Sequence, residues 1–337
     1  MAHCCTLIPG DGIGPEVAEA TLRAVHATGV DICWRRAELN EAIILEAGKT
    51  LPEYVVDSLN ETRVGLKGPV TTPIAEGFHS VNVALRKALD LFANVRPVRT
   101  LPGIKTRFQD VQIDMIIFRE NTEDLYSGLE HEIVKDVVTS LKVITRSASE
   151  RIAQYAFRYA RKNRRKQVTA IHKANIMKLA DGLFLRCARE VSKQYPEIQY
   201  KELIVDNASM QLVLRPETFD ILLLPNLYGD IVSDLAAGLV GGIGIVPGAN
   251  MGESHAVFEA VHGSAPDIAG QGKANPTALM LSAVMLLIHL GEAEPAQKLQ
   301  DAVESVYREG KHLTGDVGGT ASTQEFTDAV IKTLQRN

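Results

Sequence analysis

Short apolar runs bounded by turn residues alternate along this chain with longer stretches whose apolar positions recur every three or four residues. The short runs read as buried strands and the longer ones as helices packed on them. Cys4 to Ile8, Ile32 to Ala37, Val64 to Lys67, Met115 to Phe118, Val168 to His172, Lys201 to Val205, Ile221 to Leu224 and Val257 to Val261 are of the first kind. Helical spacing links Ala18, Leu22 and Val25, then Val83, Leu85, Leu89 and Leu91, and the apolar run Thr277 to Leu290. Ser149 to Asn163 reads as a helix with Ala153, Ala156, Phe157 and Ala160 inward. Val137 to Ile144 alternates weakly and reads as a strand of a projecting hairpin. Strands alternating with helices predict an α/β fold.

The most informative stretch is PNLYGDIVSDLAAGLVGG, residues 225–242. A strand ends at Pro225, and Asn226 is placed to cap a helix that runs through Leu239 to Gly241–Gly242. On it Asp230 and Asp234 lie four residues apart and project from one face, roughly 5–6 Å apart at Cβ. Apart from a cation they repel; a hard divalent ion bound by oxygen would make them a site. A solvated acidic face is the plainer alternative, weakened by the apolar neighbours Ile231, Val232 and Leu235 and by the strand end, where ligands of open α/β sheets bind. Asp206–Asn207 stands at another strand end, as an N-cap or a third metal carboxylate.

Other candidates follow the same logic. GDGIGPEV, residues 10–17, is a glycine turn entering a helix through Pro15. It completes neither frame of G-x-G-x-x-G, so an ordinary Rossmann reading is disfavoured. GPVTTP offers the hydroxyls of Thr71 and Thr72 after a strand end. Arg86, Arg96 and Arg119 each sit beside an apolar element, where an arginine usually forks onto a carboxylate, internal or of a substrate. Tyr126 is a proton donor if it faces a cleft. Lys173, just past a strand, becomes a base if cationic neighbours or burial depress its pKa. The loop HGSAPDIAGQGKANP, 262–276, is long enough to be functional. In it His262 and Gly263 suit an adenine and phosphates, and Asp267 suits ribose hydroxyls while repelling a 2′-phosphate.

Composition narrows the class. The 337 residues suffice for a large core in two lobes, and 45% hydrophobic residues fit a globular protein of enzyme size. A formal charge of -5 gives no footing for nucleic acid. No apolar run approaches the roughly 18 residues of a membrane span. The chain opens directly on a strand, so no signal peptide is expected. Four cysteines without metal spacing read as buried free thiols of a reducing cytoplasm.

GDGIGPE, GPVTTP, SVNVALRK, ANVRP, FRENTEDLYSGLEH, HKANIMK, NLYGDIVSDLAAGLVGG, HGSAPDIAG and ANP together, in this order, resemble the β-decarboxylating dehydrogenases, the isocitrate and 3-isopropylmalate dehydrogenase family. The resemblance covers nearly the whole chain. It implies an isopropylmalate dehydrogenase-like two-lobed fold with a shared central sheet: residues 1–95 and 243–337 form a large domain, 96–242 a small one. A short hairpin arm near 127–145 would lie at a homodimer interface, with the active site shared between subunits. The SxNxxLR pattern resembles isocitrate dehydrogenases, where Ser80 and Asn82 would meet the extra carboxylate while Arg86, Arg96 and Arg119 clamp the others. Isopropylmalate enzymes carry leucines there. Homoisocitrate, 3-isopropylmalate and tartrate remain the sibling substrates. Mg²⁺ or Mn²⁺ would be held by Asp230, Asp234 and Asp206 of the other subunit. Lys173, also from the partner, would be the base, and Tyr126 the acid. HGSAPDIAG resembles the NAD-using members, which implies a cofactor site of Thr71, Thr72, Asn175, His262, Gly263, Ser264, Ala265, Pro266, Asp267, Ile268 and Asn275.

Overall fold

The computed structural model describes residues 2–71 and 80–336. Ten of its strands form one sheet. They are β1 (His3–Ile8), β2 (Ile32–Arg36), β3 (Val64–Lys67), β4 (Ala93–Arg99), β5 (Asp114–Glu120), β8 (Gln167–His172), β9 (Gln199–Ile204), β10 (Ile221–Leu224), β11 (Pro247–Met251) and β12 (Ala256–Ala260). A separate hairpin pairs β6 (Glu130–Val134) with β7 (Val137–Ser140). The helices are α1 (Gly14–Ala27), α2 (Glu41–Ala47), α3 (Glu53–Thr62), α4 (Val81–Ala88), α5 (Arg146–Lys162), α6 (Ala180–Ser192), α7 (Val205–Leu214), α8 (Asn226–Val240), α9 (Thr277–His289), α10 (Ala293–Glu309) and α11 (Thr323–Leu334).

The sheet order is β2-β1-β3-β12-β11-β4-β5-β10-β8-β9. Both flanks are parallel, and the pairings β12–β11, β11–β4 and β4–β5 in the middle are antiparallel. This is the expected α/β fold with a shared sheet, and it lacks the strand order of a dinucleotide-binding Rossmann fold. One half of the sheet comes from the two ends of the chain and the other from its middle, joined where β11 pairs with β4.

Helices cover both faces, so strands such as β3, β8 and β10 are buried throughout. That burial explains why they read as continuous apolar runs. In β5, Ile116 and Phe118 pack with α5, whereas Met115 and Ile117 belong to the core that includes α8. The predicted inward face of α5 is fully buried at Ala153, Ala156, Phe157 and Ala160. Loss of a phenyl ring such as that of Phe157 costs about 3–5 kcal/mol. Polar residues inside this sheet are exceptions that carry information: Lys67, Asn94, Arg96, Arg119, Glu120 and Glu259 are all buried.

Several expectations are corrected. Asn226 does not cap α8; Pro225 holds the N-cap position and Asn226 turns inward, 1% exposed. Asp206 is not an N-cap either, because Ile204 holds that position in α7. Leu91 lies past the end of α4, whose buried face is Val81, Leu85 and Arg86. The strand expected over 137–144 stops at Ser140. Ile231 faces outward at 59% exposure, and Cys4 and Cys33 are exposed, leaving Cys5 and Cys187 as the buried thiols. Burial pushes the Cys5 thiol up to about 12. Among the described residues no helix is long and apolar enough to cross a membrane.

Candidate active site

The three arginines converge because adjacent antiparallel strands and one helix present them to a common space. Arg96 comes from β4, Arg119 from the paired strand β5 and Arg86 from α4; all are buried, Arg119 at 1% exposure. α8 lies over these strands. It comes close because residue 229 is glycine: a Cβ there would sit 2.5 Å from the Arg119 side chain. Asn226, one turn earlier, accepts from Arg119 Nε at 2.9 Å and Nη2 at 2.7 Å. Arg119 Nη1 donates to Asp230, and Arg96 Nη1 donates to Asp234 at 3.2 Å. Arg86 donates to Glu259 at 3.4 Å. The internal partners that the sequence left open are thus present, and two of them are the proposed metal carboxylates.

Arg86, Arg96, Arg119, Asp230 and Glu259 line a cavity of about 280 Å³ together with Ser80, Asn82, Lys67 and Tyr126; Asn226 and Asp234 are not part of its lining. Five of the nine buried side-chain atoms that lack a hydrogen-bond partner among the described residues belong to its walls: Asn82 Oδ1, Arg86 Nε, Asn94 Oδ1, Arg96 Nε and His262 Nε2. Buried polar atoms are normally satisfied, so this concentration marks a place for a polar ligand. Ser80 occupies the N-cap position of α4 without capping it, which leaves its hydroxyl for the cavity.

The electrostatics favour an anion. Burial and then the mutual repulsion of the arginines lower the Arg119 guanidinium to about 10; Arg96 is lowered by burial and by Arg86. An anionic ligand relieves both costs. Burial opposes ionisation of Asp230, but Arg119, the Tyr126 hydroxyl and Arg96 outweigh it and hold the carboxyl below its ordinary range. Asp234 is pushed up, mainly by burial. Burial and the bond to Asp230 raise the Tyr126 phenol, so it keeps its proton. Arg119 also lies 4.9 Å above the Tyr126 ring.

Sequence reasoning missed Lys67 and Glu259, which hide inside the apolar runs of β3 and β12. They pair at 2.7 Å, with side chains 2% and 10% exposed. Glu259 also accepts from Asn250 at 2.6 Å, and Asn94 and Asn121 donate to Asn250. Burial works against the Glu259 charge, yet Lys67 and Arg86 hold its carboxyl far below the usual range. The available signal was a lone charge in a strand buried on both faces.

Lys173 and Asp206 stand elsewhere, paired with each other at 2.5 Å and partly exposed. Within this chain the charged neighbour of Lys173 is thus an acid, not one of the cations that would make it a base. Asp230 and Asp234 offer oxygen donors suited to a hard cation. Among the described residues, however, no three His, Cys, Asp or Glu side chains gather into a metal-sized group. A third protein ligand would have to come from another molecule.

The glycine turn and the long loop fit together as one unit. Cβ atoms at Gly10 and Gly12 would lie 1.9 Å from the carbonyl oxygens of Pro69 and Ser264, so the 10–14 turn props both neighbouring loops backbone to backbone. Ile13 N donates to Ser264 O at 2.9 Å, Thr71 Oγ1 to Ser264 Oγ at 2.8 Å, and Asp11 accepts from Thr71 N at 2.8 Å. Glu16 accepts from the backbone of Gly272 and Ala274. His262 and Gly263 reach the cavity, and burial keeps the His262 imidazole neutral. Beyond them Ala265 adopts φ +38°, and Pro266 and Asp267 are exposed, with Ile268 closing the turn on Ala265. The Asp267 carboxylate and the His262 Nε2, both without a partner among the described residues, fit a dinucleotide. Asn275 is engaged by Tyr307, Asp316 and Thr277 at the start of α9, and Asn175 is exposed away from the cavity. Thr72 lies outside the described residues.

Comparison with known proteins is consistent along the chain. The family model for isocitrate/isopropylmalate dehydrogenase matches residues 4–330. A catalytic subunit of mitochondrial NAD isocitrate dehydrogenase from Arabidopsis thaliana is 54% identical over 98% of this chain and 88% of its own length. A regulatory subunit of the mitochondrial NAD isocitrate dehydrogenase of Dictyostelium discoideum is 52% identical over 98% of this chain and 91% of that protein. The crystal structure of isocitrate dehydrogenase from Methylococcus capsulatus superposes with a TM-score of 0.95 at 46% identity, covering 99% of both chains.

Proposed function

The chain belongs to the isocitrate/isopropylmalate dehydrogenase family of enzymes, and we propose that within it this protein oxidises isocitrate with NAD⁺ and decarboxylates it to 2-oxoglutarate. The observation that carries this reading is the convergence of Arg86, Arg96 and Arg119 on one cavity whose α4 wall adds Ser80 and Asn82. Three guanidinium groups fit a substrate with several carboxylates, and Ser80 and Asn82 are left to meet the extra one that isocitrate carries. An isopropyl group would demand an apolar wall instead, and from α4 only Val83 joins the polar residues there.

Each side chain has a step. The arginines hold and orient the carboxylates, and Ser80 and Asn82 read the one that distinguishes isocitrate. Lys173 of a second copy accepts the C2 hydroxyl proton as hydride leaves. The bond from C3 to the departing carboxylate then breaks, its electron pair passes toward the C2 ketone, and CO₂ leaves. Tyr126, which holds its proton against Asp230, delivers it to C3. When bound, NAD⁺ supplies the hydride acceptor, and Mg²⁺ or Mn²⁺ on Asp230, Asp234 and Asp206 of a second copy supplies Lewis acidity at the hydroxyl.

A second copy is supported by exposed apolar side chains. Leu179 is 86% exposed and Ile176 69%, beside Lys173; Met210, Val213 and Leu214 of α7 and Ile231 of α8 are also exposed. The β6–β7 hairpin exposes Ile133, Val134, Val137 and Val138, and an isolated hairpin is marginal in water. A homodimer with a shared site covers these surfaces and brings Lys173 and Asp206 to the cavity of the neighbour.

The test is reduction of NAD⁺ and NADP⁺ by isocitrate, homoisocitrate, 3-isopropylmalate and tartrate, with and without chelator, alongside the mass of the assembly. Fast NAD⁺ reduction by isocitrate, abolished by chelator, is expected from the chain alone. Preference for another acid overturns the substrate assignment; an inactive chain that gains activity only with a different polypeptide overturns the catalytic one.

A further inference from the structure

On the reverse of the strands that floor the active site lies a larger cleft, of about 860 Å³. In β4, Asn94 and Arg96 line the front cavity, and Val95 and Pro97 the rear cleft. In β11, Gly248 faces the front and Ala249 the rear; in β12, Glu259 the front and Phe258 the rear. Alternate strand residues point to opposite faces, so the same three strands form both floors. The walls of the rear cleft are α5 on one side and α9 on the other, the latter through Val284, Met285 and Ile288.

We propose that this cleft binds an amphipathic anion, an apolar body with one carboxylate or sulfonate, and that its occupant favours closure of the active-site cavity. The volume lies within the about 300–1,000 Å³ of small-molecule sites, and the floor is apolar. The rim charges decide the sign of the headgroup. Arg99 is paired with Glu304 at 3.3 Å, and Arg165 with Asp114 at 2.7 Å and Asp220 at 3.1 Å. Arg158 and Lys162 make no ion pair among the described residues. They stand four residues apart on one side of α5, both lining the cleft. Glu253 is the rim acid that makes no ion pair among the described residues, and His289 on the facing wall is kept neutral by burial and by Lys162. Among the described residues, two cations without an ion pair against one such acid leave a binding edge for an anion.

The coupling follows from the shared floor. α5 is anchored on β5, β8 and β10, and α9 on β3, β11 and β12, so the walls belong to different halves of the sheet. Those halves meet at the β11–β4 pairing. Rotation about that line which widens the rear narrows the front. A wedge at the rear and a substrate at the front bias the same rotation, and each must tighten the other. The coupling rests on the proposed function; the binding does not.

The test uses the full chain with anilinonaphthalene sulfonate as fluorescent probe. One saturable site per chain is expected, displaced by decanoate and not by decyltrimethylammonium. Ile288→Trp, at a position 57% exposed, and the double reversal Arg158→Glu/Lys162→Glu should each weaken the probe by about tenfold with the thermal midpoint unchanged. Decanoate should lower the isocitrate KM several-fold. Absence of a saturable site, equal affinity in both variants, or displacement by the cationic detergent overturns the site. Binding with an unmoved KM overturns the wedge. If isocitrate is not a substrate, the probe titration still decides the site.

Discussion

Asn226→Ala removes the one oxygen that accepts from both Arg119 Nε, at 2.9 Å, and Nη2, at 2.7 Å. Arg119 is 1% exposed, so the released donors have little access to bulk water. Hydrogen bonds to a charged group contribute about 1.5–3 kcal/mol each, and a buried charge left short of partners adds to the loss. The same change deletes the donation from Asn226 Nδ2 to Glu123 O at 3.1 Å. Allowing for one water entering the gap, the expected destabilisation is about 3–5 kcal/mol. Function should suffer separately. Asn226 fixes the plane in which Arg119 meets Asp230 and the cavity, so the isocitrate KM should rise by about tenfold while kcat changes less. Urea unfolding at fixed chain concentration reads the first quantity, and initial rates against isocitrate read the second. A loss below about 1 kcal/mol with an unchanged KM would show that Arg119 finds its place without Asn226. The account of α8 as the element that organises the site would then be wrong.

Tyr126→Phe should slow complete turnover by about 10²–10⁴-fold, yet spare reduction of an added oxalosuccinate-like keto acid; equal loss of both reactions contradicts the role proposed for it as the acid at C3. Gly12→Ala places a Cβ 1.9 Å from Ser264 O at a φ of +56°. It should weaken NAD⁺ in a binding titration, and unchanged affinity would sever the glycine turn from the cofactor loop. Burial holds the Glu123 carboxyl up to about 7, against hydrogen bonds from Thr145. Between pH 4.5 and about 7 the folded chain therefore retains a proton that the unfolded chain has released, and stability falls as pH rises through that window. Glu123→Gln should flatten the fall in urea midpoint across that range; an unchanged slope assigns it to other groups.

Local signals were enough for much of this chain. The apolar runs Ile221 to Leu224 and Val64 to Lys67 coincide with β10 and β3, because a strand covered on both faces must be apolar throughout. The spacing of Ala153, Ala156, Phe157 and Ala160 defined the inward face of α5, since 3.6 residues per turn fixes which positions share a side. Arg86, Arg96, Arg119, Tyr126, Ser80 and Asn82, singled out by their motifs, line one cavity in the fold. Other features have no local trace. Asn226 has the composition of a cap, and only the approach of β5 beneath α8 turns it toward Arg119. Lys67 and Glu259 sit in strands 192 residues apart in sequence, and their pairing exists only because β3 lies beside β12. Whether an arginine meets an internal acid, and which face of a shared strand becomes cavity or cleft, depends on distant segments arriving together. Periodicity and residue chemistry determine what each segment can offer; packing in three dimensions decides what it meets.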